Sequence, residues 1–161
     1  MQVYNFEIAG LIRRIVRFMK ELHYSQSANV AAVSAADQNR FKTFLTAIEQ
    51  NLDFVIGQEP LDLPKGSPEL RELTEMPTLP MVENEAIQDM IEMYKSAVKE
   101  LSQSQSARYS NGMIPQDAER LRSVIAKQRA FLDGYVANIQ PLDLVETVPS
   151  RPMNGPGAQG V

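Results

Sequence analysis

The sequence predicts an all-α fold: a four-helix bundle with a proline-rich crossover and an extended C-terminal tail. Two observations carry this. Four stretches place apolar residues three and four positions apart, the period of a helix with one buried face. The prolines avoid those stretches. Five of the ten lie within 57–81 and four within 141–161, while Pro115 opens the fourth stretch, where a helix accepts proline at its first position.

The first helix is expected over 4–24. Ile8, Leu11, Ile12, Ile15, Met19 and Leu22 form its stripe. With Val16 and Phe18 they span an arc of about 160° at roughly 100° per residue. Arg13, Arg14, Arg17, Lys20 and Glu21 fall on the opposite face. The second helix is expected over 35–56, with Ser34 as N-cap and Asp37 three positions on. Its stripe is Phe41, Phe44, Leu45, Ile48, Leu52 and Val55, and Gly57 supplies a stop. The small, polar segment 25–33 reads as a loop or as an early turn of that helix.

The crossover 57–83 is too rich in proline for a long helix or a central strand. Ser67 followed by Pro68 predicts one short helix inside it, near 68–76. The third helix is expected over 85–104 behind an Asn84 cap, with the stripe Ile87, Met90, Ile91, Tyr94, Val98 and Leu101. Asn111-Gly112 marks a turn. The fourth helix is expected over 115–139, with Leu121, Val124, Ile125, Gln128, Phe131, Leu132, Tyr135 and Ile139 on its stripe. The third and fourth helices should form an antiparallel hairpin, with the first two packed against it. Residues 1–140 thus make one bundle, and 141–161 form a Pro/Gly tail. The two helical halves are read as unrelated, without an internal repeat.

Composition removes whole classes of chemistry. Cysteine is absent, which excludes disulfides, thiolate metal sites and a cysteine nucleophile. The single histidine, His23, excludes multi-histidine metal sites. As a helix-end residue it reads as structural, not as a general base. Glu85, Asp89 and Glu92 form the best carboxylate cluster, but they lie opposite their helix's apolar stripe. No Glu-x-x-His, EF-hand loop, phosphate-binding loop or nucleophile elbow occurs. The reading is therefore of a non-enzyme with no catalytic residues, no metal and no cofactor. No apolar run approaches the roughly 20 residues of a membrane span. Arginines interrupt the first apolar stretch, so no signal peptide is expected.

The net charge is −4, which argues against binding nucleic acid through the whole surface. The charge is uneven. Residues 1–24 carry four basic and two acidic side chains, and 57–106 carry four basic and ten acidic. The basic face Arg13, Arg14, Arg17 and Lys20 is the candidate docking surface. In the tail, Leu142, Leu144, Val145 and Val148 are candidate anchors on a partner, held extended by the neighbouring prolines.

This plan resembles, in overall architecture only, the accessory virion proteins of tailed bacteriophages, such as capsid decoration and neck or tail-completion proteins. The resemblance implies a structural subunit of a symmetric assembly. Its partners would be capsid or neck proteins or copies of itself, and it would move from the cytoplasm of synthesis to the virion. The alternative is a small helical adaptor that binds an acidic protein through the basic first helix.

Overall fold

The computed structural model describes residues 2–62, 71–72 and 75–138. It is an all-α four-helix bundle: α1 Phe6–His23, α2 Ala35–Ile56, α3 Glu85–Gln103 and α4 Pro115–Asn138. Short 3-10 turns, Gln26–Asn29 and Gln105–Arg108, follow α1 and α3. The apolar stripes converge on one core. Every α1 stripe residue is buried, as are Ile48, Tyr94, Val98, Ile125 and Leu132. Phe18 lies at its centre, edge-on to Tyr94 with ring centroids 5.4 Å apart and stacked on Phe44 at 5.4 Å. Phe44 itself is only half-buried and packs against the core from outside.

The neighbours around the bundle are α1–α2, α2–α4, α4–α3 and α3–α1, so α1 lies diagonal to α4. The expected α3–α4 hairpin is present. The more extensive packing, however, joins α1 to α3 and α2 to α4.

That pairing exposes an internal repeat, which corrects the reading of two unrelated halves. Asn5, Ile8, Ile12, Leu22, Ser25, Gln26, Ser27 and Ala28 recur 79 residues on as Asn84, Ile87, Ile91, Leu101, Ser104, Gln105, Ser106 and Ala107. In the second helices the offset is 80: Asp37, Arg40, Leu52 and Asp53 become Asp117, Arg120, Leu132 and Asp133. The contacts repeat with the residues. The Asn84 amide donates to Ala28 O at 2.8 Å, and the Asn5 amide to Ala107 O at 3.2 Å. Between α2 and α4, Lys42 pairs with Asp133 at 2.6 Å and Arg122 with Asp53 at 3.1 Å. The hairpins α1–α2 and α3–α4 are therefore two versions of one unit, related by an approximate two-fold axis.

The two asparagines explain why the halves hold each other. Asn5 caps α1 by accepting from Glu7 N and Ile8 N, while its Nδ2 donates across to Ser106 O and Gly112 O at 3.1 and 2.8 Å. Asn84 caps α3 by accepting from Ile87 N, and its Nδ2 donates to Val30 O at 3.0 Å. Each side chain satisfies the open amides of its own helix and ties that helix to the other hairpin.

Of the short helix expected near 68–76 the structure describes 71–72 and 75–76, and none of these four is helical. Arg71–Glu72 form a strand, β2, paired antiparallel with β1, Gln2–Val3. The capping signal at Ser67-Pro68 is local, whereas the edge offered by residues 2–3 is tertiary, and the tertiary contact prevails. Ser67 and Pro68 lie outside the described residues, as do Ile139 and the whole 141–161 tail. The start of the crossover is tied down where Leu61 bridges Asn111. Gly112 is required there. Its φ is +79°, and a Cβ would lie 2.7 Å from Gln58 O.

Candidate functional site

The candidate docking surface is built on α1. This helix forms because its apolar positions fit one arc and its cap is provided by Asn5. The same periodicity places Arg13, Arg14, Arg17 and Lys20 on the outward side, and all four are exposed. The structure thus brings together the four cations that the sequence singles out. None of them forms an ion pair within 4.0 Å among the described residues, although other surface cations do: Arg40 with Glu21 and Asp37, Arg129 with Glu49.

The surface is a groove shared with α2. Phe6, Glu7, Gly10, Arg13, Arg14 and Arg17 line one side, and Asn51 and Phe54 the other. The Arg17 guanidinium lies 5.9 Å from the Phe44 ring centroid, within cation–π range, so an aromatic face helps set its position. Phe6 and Phe54 are each 58% exposed. Large, partly exposed apolar side chains beside guanidinium groups with no ion pair among the described residues give a surface that can take an acidic, partly apolar protein face. The two phenylalanines are absent from the sequence-based site. Phe54 carried a signal, since it falls off the α2 stripe that buries Leu52 and Val55.

The other candidates separate. Leu142, Leu144, Val145 and Val148 lie outside the described residues. Glu85, Asp89 and Glu92 are exposed on α3, away from the core, as their helical angles predict. Glu92 accepts from Gln88 Nε2 at 2.7 Å and pairs with Lys95 at 3.4 Å. His23 sits half-buried at the end of α1, edge-on to Tyr24 with centroids 4.6 Å apart. Among the described residues no three His, Asp or Glu side chains are grouped to hold a metal ion, and no helix is long and apolar enough to cross a membrane.

No protein-family model, curated protein or solved structure matches this chain significantly.

Proposed function

We propose that this chain is a non-enzymatic structural protein, a subunit of a larger symmetric assembly of the kind that decorates a phage capsid or completes its neck. It docks on other protein subunits through the outward face of α1, with the 141–161 segment as a second anchor. The observation that carries the reading is the set of exposed cations Arg13, Arg14, Arg17 and Lys20, without an ion pair among the described residues, beside Phe6 and Phe54. Long cationic side chains with no ion-pair partner among the described residues gain most from a complementary surface, which sets association rate and register.

The test is incorporation into the native complex, read beside thermal melting. Arg14→Glu with Arg17→Glu is expected to weaken incorporation while leaving the melt unchanged, because both residues are exposed. Deleting 141–161 is expected to do the same. Incorporation equal to that of the unaltered chain in both variants overturns the proposal.

A further inference from the structure

The repeat makes one comparison available that a single hairpin would not. Positions equivalent under the two-fold should look alike where they serve the fold and differ where they serve something else. The outward faces of α1 and α3 differ in sign. Arg13, Arg14 and Arg17 correspond to Glu92, Met93 and Ser96, and Gly10 and Phe6 to Asp89 and Glu85, while Lys20 and Glu21 recur as Lys99 and Glu100. The outward face of α3 carries the exposed Glu85, Asp89, Glu92 and Glu100 against Lys99 and the half-buried Lys95, which pairs with Glu92. The outward face of α1 carries four cations against Glu21, which Arg40 already neutralises.

These two faces look away from each other. α1 sits between α2 and α3, and α4 between the same two, so the α1/α2 side is opposite the α3/α4 side. Their features also lie at matching heights. Phe6 follows Asn5, which bonds the Gln105–Arg108 turn. A small dimple on the α3/α4 side, lined by Ala97, Leu101, Leu121 and Val124 together with Glu100, Ser104, Asp117 and Arg120, lies beside the same turn. The dimple exists because Phe18, Phe41 and Phe44 of the first hairpin are replaced there by Ala97, Leu121 and Val124. At the opposite end, Lys20 lies toward the Gln26–Asn29 turn, and so do Glu85 and Asp89, since the preceding Asn84 bonds Ala28.

We infer that the occupant of the basic α1 face is the acidic α3 face of a second copy of this chain. Copies stacked with their helices aligned set cations against carboxylates and exposed phenylalanines toward the dimple. Because the two faces are opposite sides of one bundle, the contact is head-to-tail and repeats into a ring or a filament. This rests on the docking role proposed for α1 and names its partner.

The experiment is sedimentation of the full chain over a concentration series, in about 0.1 M salt and again near 1 M, where the screening length falls from about 10 Å to about 3 Å. The expected result is assembly beyond a dimer at low salt and its loss at high salt. Arg13→Glu with Arg17→Glu, and separately Asp89→Lys with Glu92→Lys, should each raise the concentration needed for assembly about tenfold or more. Mixing the two variants should restore assembly, because each retains the face the other lacks and the two reversed faces, acidic α1 and basic α3, complement each other in turn. That rescue also shows that neither variant is merely misfolded. A chain that stays monomeric at low salt, stops at two copies, or assembles equally well in both variants overturns the inference. If it stays monomeric while the arginine variant still loses incorporation into a native complex, α1 docks on a different protein. If neither is affected, the docking role of α1 fails as well.

Discussion

The Ser27 hydroxyl donates to Asp37 Oδ2 at 2.5 Å, and Ser106 does the same to Asp117 Oδ2 at 2.5 Å. In both hairpins the serine amide bonds the same carboxylate oxygen, at 3.0 and 3.2 Å. The serine hydroxyl in turn accepts from the residue before the second helix, Ser34 N at 3.0 Å and Ile114 N at 2.8 Å. One Ser–Asp pair thus closes the 3-10 turn onto the helix that follows it. This Ser–Asp latch fixes the direction of each hairpin.

Removing the latch should destabilise each hairpin by a similar amount. Asp37→Ala leaves the buried Ser27 amide without its acceptor, which costs about 1–3 kcal/mol. Asp117→Ala should cost the same order, and the double variant should be near the sum, because the sites share no partner. Urea titration measures all three.

The core predictions are sharper. Ile48 is 1% exposed and Leu132 is fully buried, so Ala at either position should cost about 2–5 kcal/mol. A change below about 1 kcal/mol in a denaturant midpoint would contradict the packing. Phe131, next to Leu132 but only half-buried, should be the milder site when it is replaced by a smaller apolar residue.

Much of this architecture was legible because α1 and α3 separate apolar and charged positions cleanly, and because Ser34, Asn84 and Pro115 mark helix starts by local chemistry. The repeat was harder to see. Its identities are scattered within the helices, the longest continuous run being the turn Ser25–Ala28 and Ser104–Ala107, and the offset changes from 79 to 80 across the loop. A single alignment register therefore loses either the first helices or the second. The strand at Arg71–Glu72, where a helix near 68–76 was expected, was illegible for a different reason. Nothing local at Arg71 tells of Gln2–Val3, the strand it meets. At the docking face the four cations were legible from periodicity alone, but the α2 contribution was not, because Phe54 reaches α1 only through the fold.

Gly112 should tolerate no side chain. Gly112→Ala puts a β-carbon 2.7 Å from both Gln58 O and Pro60 N, at a φ that L-residues rarely adopt. The backbone conformation alone costs about 1–3 kcal/mol, and the clash adds to it. The thermal midpoint should fall, and exchange protection should drop first around Leu61 and Asn111, the bridge that this turn supports.

Tyr94 makes alkaline stability predictable. Burial pushes its phenol well above the ordinary 10.0, opposed by the charge of Arg129 and reinforced by that of Glu49. Its hydroxyl finds no hydrogen-bond partner among the described residues. Since the folded value lies above the unfolded one, the stability tied to the neutral phenol is complete below pH 10 and is lost as pH rises above it. Tyr94→Phe should flatten the fall in denaturant midpoint above pH 10 and leave the midpoint at pH 7 unchanged or higher. Tyrosinate absorbance should show one group fewer titrating before the chain unfolds.

The duplication carries a consequence for how the molecule closes. Each hairpin recognises the other through the same asparagines and the same α2–α4 ion pairs, so the first hairpin of one molecule can take its place on the second hairpin of a neighbour. What prevents this exchange is covalent linkage. The crossover keeps each hairpin's own mate at an effective concentration in the millimolar range, above that of any neighbour in dilute solution. Its length is therefore a setting. A crossover too short to let the hairpins meet would turn the monomer into a domain-swapped dimer, with every native contact kept and only the connection exchanged.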